Sequence, residues 1–400
     1  MVPRRYFRYL FLSLFLPLTF GTFQYFPGMA ILNALWLVVA FIFLAIPYLY
    51  WKARGGWRFT LFELYLLAMM AVIPLLAAVT AWREFGQPTI YGVLAQRRMI
   101  LSAGALALIY AVRQKRFTTI DIEKTLVLLA WSSLLLCLLI MVLFKKEPSL
   151  GDTFIVFGFY YYAFVGFRQK SKKHYLLALL LLAYLVIGTG GRSLFVSVIA
   201  AFVIFAYRWG SPARLVLFTP RLVAVGLSFV VLLYVTNAEY ATRFFAELAD
   251  AFTVVLTGKE SQDVSADARL FEFALVVPYI QEHWLLGNGD ISSQWHGGYE
   301  GVLGGYFYPS DIGIIGVLFM HGVVGILLFA MQFLFARRYT KLLTGSHHRA
   351  LVDAIKGFLL YYAIHSLVTG RFAHHAEISF TFIALLWCIT LERRRSGELV

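Results

Sequence analysis

The side chains of this chain that are best suited to chemistry are arginines that border long apolar stretches. They are Arg97, Arg98, Arg192, Arg269 and Arg371. A cation in an apolar medium costs on the order of 3 kcal/mol unless its side chain reaches an aqueous interface or meets an anion. Each arginine alone is compatible with simple interfacial contact. Because glycine precedes Arg192 and Arg371, and His374 follows Arg371 closely, the group as a whole indicates an anion-binding site.

A carboxylate that would complement these cations stands where an apolar helix begins. Asp311 follows Tyr308 and precedes a Gly-Ile-Ile-Gly run at 313–316. One interpretation is a helix cap that interacts with the positive end of the helix dipole. The other is a general base that removes a proton from an acceptor hydroxyl. Further candidates for the base in the same region are Asp290, His296 and Glu300.

These candidates concentrate in one long polar segment, residues 237–310. Its pattern predicts an amphipathic helix near 239–256 and a second helix near 266–282. A glycine-rich tract that includes Gly287 and Gly289 comes next. Glycines permit tight turns and close approach of the backbone to a ligand, so we expect this tract to contribute to binding. The alternative is a flexible, exposed loop.

The amino-acid composition indicates that the helices that position these residues lie in a membrane. Of 400 residues, 60% are hydrophobic and 14% charged, with a mean hydropathy of +0.75. Soluble domains carry more charge, and apolar runs of about twenty residues cross a membrane as helices. We therefore expect an all-α integral membrane protein with about twelve transmembrane helices. The predicted spans lie near 8–23, 29–51, 59–80, 99–112, 125–144, 153–167, 174–190, 194–207, 215–236, 311–335, 350–368 and 376–391.

Three segments and an orientation follow from these spans. Residues 1–236 hold helices one to nine, residues 237–310 form a large periplasmic loop with short helices, and residues 311–400 hold helices ten to twelve and a tail. Most of the 35 Lys and Arg residues fall in one set of alternate loops. Positive charge is retained on the cytoplasmic side, so we expect both termini in the cytoplasm.

The net charge of +14 therefore mainly reflects the Lys and Arg residues of the cytoplasmic loops, and it favours contact with anionic membrane lipids. Nucleic-acid binding is excluded, because no basic patch is interleaved with stacking aromatic residues in a soluble domain. Cys137 and Cys388 both fall in apolar spans, which excludes a disulfide framework and a zinc site.

Several motifs follow one another in an order that resembles a known family. A glycine-rich segment ends in Arg-Ser, a large loop carries an arginine, Leu-Gly-Asn-Gly comes next, and a polar residue opens a Gly-Ile-Ile-Gly helix. The matching residues are Gly190, Arg192, Ser193, Arg269, Gly287, Gly289, Asp311, Gly313 and Gly316. Over roughly residues 174–336, the chain resembles the superfamily of O-antigen polymerases and O-antigen ligases, which are membrane glycosyltransferases.

The resemblance implies a C-type glycosyltransferase fold (GT-C-like) in the bacterial inner membrane, acting at its periplasmic face. It implies a glycan linked to undecaprenyl diphosphate as substrate, membrane lipids and a chain-length regulator as partners, and no nucleotide sugar, metal or other cofactor. The residues then expected to be catalytic are Arg192, Arg269 and Asp311. Those expected to bind substrate are Arg97, Arg98, Gly287, Gly289, His296, Tyr308, Arg371 and His374.

Within this superfamily we expect a polymerase of O-antigen or exopolysaccharide repeat units. The alternative is an O-antigen ligase that transfers finished glycan to lipid A-core. Ligases of the family commonly show a His-Asn pair before the corresponding helix, where this chain reads Tyr-Pro-Ser-Asp at 308–311; this difference argues against the ligase and leaves the identity of the base open. An alternative from another class is a transporter or flippase of lipid-linked glycans. Transporters are commonly built from two similar halves, and residues 1–200 do not repeat in 201–400.

Overall fold

The structure is a computed structural model that describes residues 4–20, 30–55, 59–144, 152–188, 192–209, 264–343 and 348–397, with isolated positions between 231 and 246. Within these ranges the chain is helical and contains no strand, which confirms the all-α class. The predicted span 215–236 and the predicted amphipathic helix 239–256 lie almost entirely outside the described residues.

The helices of the described ranges follow the apolar runs closely. They are α1 (Arg4–Thr19), α2 (Ala30–Gly55), α3 (Leu61–Phe85), α4 (Thr89–Ala95), a 3-10 helix (Arg97–Ser102), α5 (Ala103–Arg113), α6 (Thr119–Phe144), α7 (Asp152–Gln169), α8 (Lys172–Ile187), α9 (Arg192–Trp209), α10 (Val264–His283), α11 (Gly298–Leu303), α12 (Ile314–Leu342), α13 (Arg349–Thr369), α14 (Arg371–His374) and α15 (Ala376–Arg395). The helix predicted near 266–282 is present as α10. Each predicted span other than 215–236 coincides with one of these helices.

The number of membrane spans is less firmly established than their positions. In the described part of the chain, helices long and apolar enough to cross a membrane are Leu61–Phe85, Thr119–Leu143, Ile314–Leu342 and Arg349–Thr369. A bent pair, Thr89–Ala95 with Arg97–Arg113, also passes when taken as one span. These helices identify a multi-pass membrane protein. The expected total of about twelve spans stays a prediction.

Charged side chains join helix termini at one end of the bundle. Glu63, at the start of α3, accepts the backbone N–H of Thr60 at 2.6 Å and pairs with Arg113, at the end of α5, at 3.0 Å. Arg168, at the end of α7, pairs with Asp353, at the start of α13. Because the start of one helix meets the end of another in each pair, the two helices of each pair run in opposite directions.

At the other end of the bundle, a bent pair of helices includes the segment that was predicted as the span 99–112. Its two halves, α4 and Arg97–Arg113, meet at an angle of 51°. Gln96 lies between them with φ −88° and ψ 16°, outside the helical region. The break therefore places Gln96, Arg97 and Arg98 at the start of a helical segment that is packed into the bundle.

A second break, in α12, receives the glycine-rich tract. Gly322 has φ 61° and ψ −171°, so neighbouring backbone groups lose their helical partners. The tract replaces those partners through four backbone hydrogen bonds of 2.7–3.1 Å, from Val323 to Trp284, Val324 to Leu285, Asn288 to Phe319 and Gly289 to Met320. The tract is therefore an integral part of the bundle, and the alternative of a flexible exposed loop is wrong here.

Gly287 and Gly289 were expected to approach a ligand, and the structure shows that they approach helices instead. Both have positive φ, 75° and 85°. A Cβ on Gly287 would lie 2.5 Å from the backbone nitrogen of His321 in α12, and one on Gly289 would lie 2.4 Å from the carbonyl oxygen of Ala77 in α3. Only glycine allows this insertion, because a side chain would overlap the helix backbones.

Candidate functional site

A cavity of about 540 Å³ lies among the broken helix α4–α5, the segment after Gly289 and the connection between α13 and α15. This volume falls in the usual range of small-molecule sites. Its charged and polar lining includes Arg97, Arg98, Asp290, Tyr308, His374 and His375. The structure thus brings together Arg97, Arg98, Tyr308 and His374 of the residues predicted to bind substrate.

The two arginines of the cavity differ in how they are held. Arg98 donates to the carbonyl oxygen of His374 at 3.1 Å and lies 2.7 Å from Nε2 of His375. Arg97 is exposed and donates to the carbonyl oxygen of Leu94 at 3.2 Å. Because both stand at the start of a helical segment, the positive end of its dipole adds to their charge. The arrangement is suited to a doubly charged anion such as a diphosphate.

Asp290 anchors the segment after the glycine tract to the broken helix. One carboxylate oxygen accepts the hydroxyl of Tyr299 at 2.6 Å, and the other accepts Nε2 of Gln96 at 2.6 Å. Gln87 donates to the carbonyl oxygen of Asp290 at 2.9 Å and accepts the N–H of Ser292 at 2.8 Å. Burial raises the pKa of Asp290, while these side-chain hydrogen bonds and the two arginines lower it. Asp290 is thus a positioning residue here rather than the free base that was considered.

Two adjacent histidines supply neutral imidazoles to the cavity. Burial and, to a smaller extent, the nearby His321 and Arg98 lower the pKa of His374 to about 3. Burial, Arg98 and Arg371 hold the pKa of His375 well below its usual range. Nε2 of His374 is buried and has no hydrogen-bond partner among the described residues. Both rings are uncharged near pH 7, and each neutral ring has one acceptor nitrogen. That of His375 faces Arg98, which leaves His374 available to a ligand.

A cluster of two carboxyl groups and an arginine lies beside the cavity. Asp311 is half-buried and follows Ser310, which lines the cavity. Burial and, to a smaller extent, the charge of Asp311 raise the pKa of Glu272 to about 7, against the opposing effect of Arg269. The structure therefore brings together Asp311 and Arg269, two of the residues predicted to be catalytic, and adds Glu272 to them.

Arg371 acts on His375 of the cavity and also on a second group of buried side chains. Arg371 hydrogen-bonds the hydroxyl of Tyr361 and interacts electrostatically with Asp152 and His365. α9 begins at Arg192, whose side chain lies outside the described part of the structure, and its first turn packs against His365. That Arg192, Arg269 and Arg371 surround a single anion stays a prediction, because the side chain of Arg192 lies outside the described part of the chain. The separation of arginines along the chain does not show which of them share a cavity.

The remaining predicted residue, His296, is exposed and does not line the cavity. It has φ 46°, and its ring lies 4.6 Å from that of Trp295.

Sequence reasoning missed Gln87, Gln96, Glu272 and His375. A glutamate within the apolar stretch of α10 was the available signal for Glu272. In the described ranges, no group of three or more His, Cys, Asp or Glu side chains is arranged to hold a metal ion.

Comparison of the sequence with known protein families finds a match in the middle of the chain. Residues 177–330 match the family model described as O-antigen ligase. The match runs from α8 into α12, and it includes Arg192, Arg269, the glycine-rich tract and Asp311. No curated protein matches the chain. Members of the matched family are glycosyltransferase-like ligases and polymerases of O-antigen. This match confirms the resemblance found in the sequence: residues 177–330 are similar to the O-antigen ligase family.

Proposed function

We propose that this protein is a polymerase that joins undecaprenyl-diphosphate-linked repeat units of an O-antigen or exopolysaccharide at the periplasmic face of the bacterial inner membrane. The observation that carries the proposal is the cavity of about 540 Å³, which combines Arg97 and Arg98 with neutral imidazoles and a neighbouring carboxylate. The family match independently supports a membrane glycosyltransferase.

The donor end of the reaction follows from the two arginines. A sugar diphosphate accumulates negative charge on its phosphate oxygens as the bond to the sugar breaks. Guanidinium groups fixed beside those oxygens stabilise this charge, and forked donors suit two phosphate oxygens. Two apolar side chains of the preceding helix α4, Ile90 and Leu94, are exposed, and the carbonyl oxygen of Leu94 accepts a hydrogen bond from Arg97. They are suited to contact the polyprenyl tail and membrane lipids.

The acceptor end of the reaction requires a base. An acceptor hydroxyl forms the new bond to the anomeric carbon, the bond from that carbon to the diphosphate oxygen breaks, and its electron pair leaves with the diphosphate. The proton of the hydroxyl passes to Asp311, which lies directly beyond the cavity wall at Ser310. A positioned base typically contributes about 100-fold or more to such a rate.

The test is elongation of a lipid-linked repeat unit by purified protein in lipid nanodiscs. We expect a ladder of products on a gel, and we expect Asp311→Asn to slow elongation by about 100-fold or more. Both proteins are first compared for thermal unfolding, so that a folding defect is recognised. Absence of any ladder with a chemically intact substrate would contradict the proposed activity. A full rate in Asp311→Asn would exclude only its role as the base.

The description of the matched family favours a second candidate, the O-antigen ligase. A ligase uses the same donor chemistry and transfers the finished glycan to lipid A-core. Supplying the purified protein with a preformed lipid-linked polymer and lipid A-core separates the two functions. Loss of the gene separates them in cells, because loss of a polymerase leaves single units attached to the core, whereas loss of a ligase leaves free polymer on its carrier.

A further inference from the structure

Exposed aromatic rings lie next to the cavity, beside the carboxyl cluster. We call Phe271, Tyr306 and Tyr308 the tyrosine shelf; their exposed fractions are 56%, 55% and 57%. A Cβ built on Gly305 would lie 3.3 Å from the ring of Phe271, so this ring packs against the backbone next to Tyr306. Tyr306 and Tyr308 also line the cavity. The shelf and the cavity are therefore continuous.

Glu272 lies beneath this shelf without hydrogen-bond partners. Its side chain is 0% exposed, and neither carboxyl oxygen has a partner among the described residues. The N–H of Tyr308 faces this carboxyl and favours its charged form, but it lies outside hydrogen-bonding geometry. The other groups that act on Glu272 are Asp311, Arg269 and, on the shelf, Tyr306. A buried carboxyl without partners is rare and points to a ligand that completes it.

The side chains around Glu272 define the chemistry of that ligand. Two carboxyl groups side by side disfavour an anion, so this surface differs in kind from the arginine-lined cavity. Carboxyl groups hydrogen-bond hydroxyls, and Tyr306 already hydrogen-bonds Asp311. Exposed aromatic rings offer flat apolar surfaces with a polar hydroxyl at one edge. Hydroxyl groups on a ring with apolar C–H faces satisfy both requirements, and that combination is a sugar.

We propose that the tyrosine shelf, with Glu272 and Asp311, is the binding subsite for the acceptor sugar. This inference rests on the proposed function and assigns its acceptor side. The acceptor lies across the rings of Tyr306 and Tyr308 with its hydroxyl at Asp311, and the donor diphosphate lies at the arginines of the adjoining cavity. Glu272 is a positioning residue that holds a second hydroxyl of the same sugar and keeps the attacking one at Asp311.

Because the tyrosine shelf and the cavity are continuous, an acceptor sugar on the shelf would point toward a donor in the cavity. Tyr308 belongs to both, and Ser310 connects the cavity wall to Asp311. A sugar on the shelf thus reaches the edge of the cavity, where the anomeric carbon of a donor held by Arg97 and Arg98 would stand. Phe273, which is also exposed on α10, is not part of the cavity lining or of the carboxyl cluster and provides a matched control.

The probe is the free repeat-unit oligosaccharide, released from its lipid diphosphate by mild acid. Purified full-length protein in nanodiscs is studied by saturation-transfer NMR with this oligosaccharide, and by elongation assays in which it serves as acceptor. We expect Tyr306→Ala and Glu272→Gln to raise the KM for the oligosaccharide at least tenfold and to weaken saturation transfer. The KM for the lipid-linked donor should change less than twofold. Phe273→Ala should leave both values unchanged.

Tyr306→Phe keeps the ring and removes only the hydroxyl, so it should have an intermediate effect and guards against misfolding of the alanine variant. Unchanged acceptor KM and saturation transfer in folded Tyr306→Ala and Glu272→Gln would overturn the subsite. An equal loss in Phe273→Ala would also overturn it. If the wild type binds the oligosaccharide through the shelf but forms no polymer, the proposed polymerase fails while the sugar-binding surface stands.

Discussion

The two ends of the helical bundle both carry arginines and carboxylates, but they use them differently. At the end that contains the start of α3, charged groups find partners within the protein. Arg113 pairs with Glu63 at 3.0 Å, and Arg395 donates to the carbonyl oxygens of Val112 and Arg113. These interactions connect helix termini that are distant in sequence. Their chemistry is complete without a ligand.

At the cavity end, polar groups remain without protein partners. Nε2 of His374 and both carboxyl oxygens of Glu272 have none among the described residues, and Arg97 is exposed beside Leu94. Native proteins rarely leave buried polar atoms unsatisfied, because each costs about 1–3 kcal/mol. The difference between the ends teaches that incomplete hydrogen bonding around a cavity, more than charge alone, marks the functional site.

The largest expected effect comes from a charge at the cavity end. Arg97→Gln removes a cation that is proposed to stabilise the leaving diphosphate, so we expect kcat/KM for elongation to fall about 100-fold. Because Arg97 is exposed, the midpoint of thermal unfolding should stay unchanged. The measurement is the rate of polymer formation in nanodiscs. Arg83→Gln is the control, since Arg83 is exposed, pairs with Glu84 and does not line the cavity. Equal losses in both variants would contradict the distinction between them.

A second variant examines the opposite end of the bundle. Glu63→Ala removes both the cap of α3 and the partner of Arg113, so we expect it to destabilise the protein by about 2 kcal/mol. The measurement is the free energy of unfolding in mixed micelles. Elongation per folded molecule should be unchanged, because Glu63 does not line the cavity. Glu63→Gln keeps a hydrogen-bonding side chain and should destabilise less. A Glu63→Ala protein of normal stability and low activity would reverse the comparison.

The smallest expected effect is a pH dependence of stability at the cavity end. The pKa of Glu272 is raised to about 7 in the folded protein, above the ordinary value near 4.3 of the unfolded chain. The folded state therefore binds this proton more tightly, and the stability gained from it is present in acid and lost as pH rises through about 7. Glu272→Gln lacks this dependence. The difference in unfolding free energy between wild type and variant should shift against the wild type by about 1 kcal/mol from pH 6 to pH 8. Histidines contribute equally to both proteins, and a constant difference would contradict the raised pKa.

Sequence reasoning predicted the helices better than it predicted the site. The apolar runs identified α3, α6, α12 and α13 as apolar helices long enough to span a membrane, and the helical pattern at 266–282 anticipated α10. Apolar periodicity is a local property, so it is readable without knowledge of neighbours. The broken helix at Gln96 was not predicted, because the break lies before the apolar run 99–112 and the short helix α4 on its other side was not recognised.

The site depends on contacts between residues that are far apart in the chain. Gln96 meets Asp290 across 194 residues, and Arg98 meets His374 across 276 residues. Arg97, Arg98, Tyr308 and His374 were recognised as candidates, but so were Arg192, Arg269, Arg371 and His296, and local sequence does not rank them. Glu272 was missed because an isolated glutamate on a helix reads as a solvent-facing residue until its burial is known.

The amino-acid sequence by itself determined that this protein is helical, membrane-embedded and, over residues 177–330, similar to the O-antigen ligase family, because hydropathy and motif order are properties of the chain. Only the tertiary structure decided which charges share a cavity and which are satisfied by helix termini. It also decided that Gly287 and Gly289 approach helices, since the space beside a glycine is set by the elements that pack against it.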